Sequence, residues 1–141
     1  LETGRIGIAS QSVGMAQAAL DAALAYAKDR QTFGTPIINH QAVSFRLAEL
    51  ATQLEAARQL TLHAARLKDA GIPCLTQAAM AKLYASEAAE RIVSGALQTF
   101  GGMGYMVETG LERIARDVRV CQIYEGTSDI QKLIIARALN T

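Results

Sequence analysis

A chain of 141 residues, half of them apolar, can bury a real core as one domain. Fourteen Lys and Arg against 13 Asp and Glu leave it near neutral, with no basic block for a nucleic acid and no charge run for a disordered tail. No apolar run reaches the roughly 18 residues a membrane-spanning helix needs, and no stretch reads as a secretory signal. Cys74 and Cys121 have no metal-type spacing and read as reduced, buried or semi-buried thiols.

Alanine carries much of the apolar content, and there are two prolines and no Trp. This composition favours packed helices over sheet. The first helix is predicted over about residues 5–28. Ala9, Ala16, Ala19, Ala23 and Ala27 would allow close helix approach, and Ile8, Val13, Met15, Leu20 and Leu24 supply bulk. Residues 30–39 form a loop punctuated by Gly34 and Pro36, with Asn39 as N-cap of the second helix. In that helix Val43, Leu47, Leu50, Leu54, Ala57, Thr61, Ala64 and Leu67 make an amphipathic stripe. Gly71 and then Pro73 end it. The third helix spans residues 75–100, with Ala79, Leu83, Ala89, Ile92, Ala96 and Phe100 inward. A glycine-rich loop covers 101–110. Thr109-x-x-Glu112 reads as a capping box for a short helix over 111–118, and Ser128-x-x-Gln131 as one for a last helix to about 139. The expected fold is all-α: an antiparallel four-helix bundle with an additional short helix, in one domain over 1–141.

The segment richest in chemistry is Gln122-Ile123-Tyr124-Glu125-Gly126-Thr127-Ser128. A carboxylate between an apolar wall and a permissive glycine can be desolvated while facing a cavity, a setting suited to a general base. A ligand could approach the Gly126 backbone closely. The simpler reading is an ordinary loop: a surface glutamate, a turn glycine and a helix cap. Arg30, in the Gly/Pro-punctuated loop, suits bidentate phosphate recognition. Gln98 to Gly102, where a helix end meets paired glycines, lets a phosphate or sugar approach backbone amides, although helix C-terminal glycines are common. Arg5 reads as a surface cation at a helix start, and His40 as a cap or surface residue. Met80, Tyr84 and Met103 read as core or interface packing. Lys28, Asp29, Arg66, Lys68 and Asp69 read as solvated surface.

Five segments, in order and spanning nearly the whole chain, resemble the C-terminal domain of the acyl-CoA dehydrogenases. They are Gly4-Arg5-Ile6-Gly7-Ile8-Ala9, Arg30-Gln31-Thr32-Phe33-Gly34, Gln98-Thr99-Phe100-Gly101-Gly102-Met103-Gly104-Tyr105, Arg116-Asp117 and Ile123-Tyr124-Glu125-Gly126-Thr127-Ser128. The texture is closest to short-chain and short/branched-chain members. The resemblance implies that an N-terminal helical domain and a middle β-domain precede this chain, which begins at Leu1 rather than Met and reads as a C-terminal piece.

It further implies that Glu125 removes the α-proton of an acyl-CoA thioester while the β-hydrogen leaves as hydride to FAD, giving a trans-2-enoyl-CoA. The backbone N–H of Glu125 would be one donor to the thioester oxygen. Some members carry the base instead at the position of Gly4, which has no side chain to serve. Glu2, Thr3, Gly4, Arg5 and Gly126 would line the acyl-CoA site, although Glu2 also reads as a solvated charge. Arg30, Gln31, Thr32, His40, Gln41, Gln98, Thr99, Phe100, Gly101 and Gly102 would serve the FAD of a neighbouring subunit. Thr127, Ser128 and Asp129 would touch the FAD of their own; many relatives have Glu or Gln where Asp129 stands. Phe33 either stacks near the flavin or pins its loop, and Arg116 and Asp117 form a structural ion pair or cap before Glu125.

The implied partners are an acyl-CoA, further copies in a homodimer or homotetramer, and an electron-transfer flavoprotein. No metal is implied. The implied compartment is bacterial cytoplasm, or mitochondrial matrix in a eukaryote. An acyl-CoA oxidase and a helical oligomerisation module without activity of its own are the alternatives. The chain alone is expected to bind FAD poorly.

Overall fold

Three long helices carry the architecture: α1 (Glu2–Asp29), α2 (Gln41–Asp69) and α3 (Leu75–Phe100). A computed structural model describes all residues, 1–141. Three shorter helices follow, α4 (Gly102–Tyr105), α5 (Leu111–Arg119) and α6 (Ser128–Leu139). The fold is all-α, as the composition predicts, and α6 completes a four-helix arrangement against α3.

The direction of the helices follows from their end contacts. Glu2, at the start of α1, meets Lys68 near the end of α2 and Cys74 just before α3. At the other end Tyr26 of α1 stacks on Phe100 of α3, with ring centroids 4.2 Å apart and planes 20° from parallel. Successive long helices are therefore antiparallel, and α1 and α3 run the same way. α1 packs most extensively on α3. More than half of the 22 residues of the main core are alanine, and small side chains let helix axes approach closely. Leu50 of α2 lies over Gly95 of α3, where a Cβ would stand 2.8 Å from its Cδ1. The predicted inward stripe of α2 is buried from Leu47 through Ala64, with Val43 and Leu67 half-buried at its ends. Both cysteines are buried and free.

Several helix ends differ from the sequence reading. α1 starts at Glu2 rather than near residue 5. The loop after α1 contains a small antiparallel hairpin, β1 (Gln31–Thr32) with β2 (Thr35–Pro36). Phe33 and Gly34 turn it with φ of 53° and 79°, the left-handed pair that tight hairpins require. Asn39 does not cap α2; its side chain donates to Thr35 Oγ1 at 2.8 Å, and His40 holds the boundary position. α2 ends as expected: Gly71 N–H donates to Lys68 O and Ile72 N–H to Leu67 O, the paired bonds of a Schellman ending.

Residues 101–110 contain the one-turn α4 and a 3-10 turn over Val107–Thr109 rather than open loop. The two capping boxes do not form. Thr109 Oγ1 donates to Met106 O, Gly110 precedes α5, and Glu112 pairs with Arg116 at 3.0 Å on an exposed face. Asp117 is therefore not the partner of Arg116. The cap of α6 is Thr127, whose hydroxyl accepts from Ile130 N–H, and Gln131 turns its amide elsewhere.

Candidate active site

The segment before α6 is built on an unusual backbone. A 3-10 turn over Val120–Gln122 leads out of α5, with Cys121 buried beneath it. Tyr124 donates its hydroxyl to Gln11 Oε1 of α1 at 2.7 Å. Burial pushes the Tyr124 phenol above its ordinary range, and its contact with the Cys121 thiol adds to this. Gln122 donates to Glu90 of α3. Glu125 and Gly126 then both take left-handed conformations, with φ of 58° and 91°. For a glutamate this region is sparsely populated and costs on the order of 1–3 kcal/mol unless the surroundings impose it.

Two buried side chains impose it. Lys82 of α3 donates from Nζ to Gly126 O at 2.7 Å, and Gln131 of α6 donates from Nε2 to the same oxygen at 2.8 Å and to Glu125 O at 3.2 Å. Neither Lys82 nor Gln131 retains any solvent exposure. Burial pushes the Lys82 ammonium below its ordinary pKa; Cys121 and Glu125 act against that shift and Arg5 with it. The Glu125 side chain lies over Gly4 of α1, where a Cβ would stand 2.3 Å from Oε2. The N–H of Glu125 donates to no group of the chain.

Arg5 is not the surface cation that its place at a helix start suggests. It is 5% exposed, and its Nε and Nη1 have no hydrogen-bond partner. Ser128 Oγ and Gln131 Oε1 are likewise buried without partners. Glu2 is neither free nor fully solvated: Lys68 and Cys74 engage its carboxylate. Thr3 and Asp129 are exposed. Glu125 is exposed too, and Ile123 is 51% exposed, so the apolar wall expected beside the carboxylate is incomplete in this chain.

A second candidate region lies at the far end of the bundle. Arg30 and Thr32 from the hairpin, and Thr99, Phe100, Gly101 and Gly102 from the end of α3, line one cavity of about 700 Å³. Tyr26, Ile37, Met103 and Met106 complete its apolar lining. His40 braces the hairpin, with Nε2 2.9 Å from Thr32 Oγ1 and 3.3 Å from Thr32 O. Phe33 is 97% exposed, edge-on to His40, and so does not pin the loop by burial. Gln31 and Gln41 are exposed outside the cavity. Gln98 faces a different, polar groove with Arg46, Glu87, Glu90, Arg91 and Gln122.

From Gly4 to Arg30 is 26 helical steps, roughly 40 Å along α1 at 1.5 Å per residue. One chain thus separates the Glu125 site from the Arg30 cavity by its whole length. The residues of that cavity fit a phosphorylated, aromatic cofactor: a guanidinium, two hydroxyls, approachable glycine backbone and an apolar floor. At the other end, the orphaned hydroxyl of Ser128 at the start of α6 fits a polar ligand group.

Sequence reasoning missed Lys82, Tyr26 and Met106. The signal for Lys82 was a single charge in the Ala78, Ala85, Ala89 stripe of α3, at helical spacing from each. No group of three or more His, Cys, Asp or Glu is placed to hold a metal, and no helix is long and apolar enough to cross a membrane.

The family model for the acyl-CoA dehydrogenase C-terminal domain matches residues 1–140. The chain is 57% identical over 136 residues to the mitochondrial short-chain specific acyl-CoA dehydrogenase of Bos taurus, covering 96% of this chain and 33% of that protein. It superposes on butyryl-CoA dehydrogenase from Megasphaera elsdenii with a TM-score of 0.98 at 44% identity, over 99% of this chain and 37% of the other. A structure of PigA as its FAD complex gives a TM-score of 0.90 at 39% identity, over 94% and 34%. The chain spans about a third of the length of the curated relatives it matches.

Proposed function

Since the chain belongs to the acyl-CoA dehydrogenase family as its C-terminal domain, we propose that it supplies the base for α,β-dehydrogenation of a short or short-branched acyl-CoA. The observation that carries this reading is the placement of Glu125, whose carboxylate is lodged over Gly4 while its own N–H stays free. A carboxylate oxygen there takes the α-proton, and the electrons of the broken C–H bond form the new double bond. The free N–H donates to the thioester oxygen, where negative charge develops as the proton leaves. Arg5 and Gly126 border the same site. FAD, when bound, supplies the two-electron acceptor for the β-hydrogen leaving as hydride.

An N-terminal helical domain and a middle β-domain, in a longer protein, would complete both the acyl pocket and the flavin pocket. They would also exclude water from Glu125, which this chain leaves exposed. Thr127, Ser128 and Asp129 would touch the FAD beside Glu125. The roughly 40 Å between the two regions favours a different cofactor copy at the far end. There Arg30, Thr32 and Thr99 to Gly102 would hold the FAD of a neighbouring subunit in a homodimer or homotetramer. Gln31, His40, Gln41 and Gln98 border that region rather than line its cavity, and would contact cofactor only as part of an assembled interface.

The test is incubation of the longer flavin-loaded protein with butyryl-CoA and an electron-transfer flavoprotein, identifying the product. A trans-2-enoyl-CoA supports the reading, and an unchanged thioester opposes it. Stoichiometric peroxide without the flavoprotein would instead identify an oxidase.

A further inference from the structure

Lys82 and Gln131 have no place in the chemistry just described, yet they converge on it. They come from different helices, α3 and α6, are both fully buried, and meet at one acceptor, Gly126 O, at 2.7 and 2.8 Å. Gln131 also reaches Glu125 O at 3.2 Å. A lysine is a costly residue for the inward stripe of α3: its ammonium loses its hydration, and an apolar side chain of similar size would avoid that loss. Core stability therefore does not account for it. What the two donors hold is a glutamate and a glycine in succession with φ of 58° and 91°, a pair that, unlike Phe33 and Gly34, no hairpin ladder supports. Such a backbone persists only where its surroundings over-determine it. The Glu125–Gly126 backbone sets both the direction of the carboxylate over Gly4 and the direction of the Glu125 N–H.

We infer that Lys82 and Gln131 are positioning residues for the base, clamping the Gly126 carbonyl so that the Glu125 carboxylate and N–H face the reacting atoms together. This rests on the assignment of Glu125 above, and the experiment separates the two claims. Gln131→Met keeps side-chain length, Lys82→Met shortens it by one atom, and both remove the donors. Both are compared with the parent and with Glu125→Gln in the longer flavin-loaded protein, using butyryl-CoA. Turnover is read together with amide hydrogen exchange over residues 121–128.

Misplacing a reacting group by about 1 Å costs on the order of 100-fold. Lys82→Met should therefore lower kcat by roughly 30- to 100-fold with KM within about threefold, and Gln131→Met by roughly 5- to 10-fold, since Lys82 still holds the carbonyl. Flavin content should be unchanged, and amide exchange in the segment faster. A merely structural role would lower melting temperature or flavin content and leave kcat per flavin intact, which would overturn the inference. If Lys82→Met does not fold, Gln131→Met decides by the same criteria. Parental turnover in Glu125→Gln sinks the assignment of the base. Parental turnover in both methionine variants, beside an inactive Glu125→Gln, sinks the clamp alone.

Discussion

Glu125 and Gly4 share one volume: a Cβ on Gly4 would stand 2.3 Å from Oε2 of Glu125 and 2.9 Å from its Cδ. The first turn of α1 thus leaves room for a carboxylate delivered from the far end of the chain. The atoms in conflict are the tip of a flexible side chain, so a larger residue at position 4 displaces that carboxylate rather than the fold.

Gly4→Ala should therefore separate stability from activity. Alanine is favoured over glycine in a helix by up to about 1 kcal/mol, so the melting temperature should hold or rise. The carboxylate must swing away, and kcat in the longer flavin-loaded protein should fall by about tenfold. Thermal melts and steady-state kinetics on one preparation check this; unchanged kcat would mean that the carboxylate has another productive seat.

The bundle was legible because its signals are periodic. The stripe from Leu47 to Ala64 and the Gly71/Pro73 stop repeat simple rules of spacing, and the structure follows them. The ends were less legible because short polar residues have several partners within reach. Asn39 chose Thr35, Thr109 chose Met106 O, and Gln131 chose the Gly126 carbonyl over a local cap. The candidate site could be marked out in the sequence as a segment but not as a geometry. Nothing local in the sequence says that Glu125 is left-handed, that Gly4 makes space for it, or that a lysine 43 positions earlier, Lys82, holds its turn. Those are contacts between distant parts of the chain. The surface reading of Arg5 failed for the same reason: helix starts are usually wet, yet this side chain is buried.

Gly126 should tolerate no side chain. Its φ is 91°, and a Cβ would stand 2.8 Å from Gln131 Nε2. Gly126→Ala combines backbone strain of about 1–3 kcal/mol with loss of the Gln131 hydrogen bond. Urea unfolding should show a lower midpoint with an unchanged slope; a midpoint equal to the parent's would contradict the turn described.

Thr127 rather than Ser128 caps α6. Thr127→Ala should cost about 0.5–1 kcal/mol, within the usual range for an N-cap. Ser128→Ala removes a buried hydroxyl that has no partner in this chain, and should leave stability level or slightly raised. Chemical denaturation of the two variants gives the order, and the reverse order would restore the Ser128 cap.

Cys74 gives a pH signature. Burial pushes its thiol above the ordinary value of 9.0, and the Glu2 carboxylate beside it adds to the shift. The folded state thus keeps the thiol proton to a higher pH than the unfolded chain does. The contribution to stability is complete below about pH 9 and is lost as pH rises through the folded value. Cys74→Ala should show a shallower fall in unfolding free energy above pH 9. Parallel curves for parent and variant would show that the thiol is not held protonated.

The proposed chemistry turns on Glu125 as the base. The most direct measurement is turnover of butyryl-CoA by Glu125→Gln in the longer protein, with flavin absorbance read on the same sample. Loss of general-base catalysis is worth 10²- to 10⁴-fold. The predicted result is turnover below about 1% of the parent with flavin fully retained; turnover near the parent's would contradict the account and move the base elsewhere.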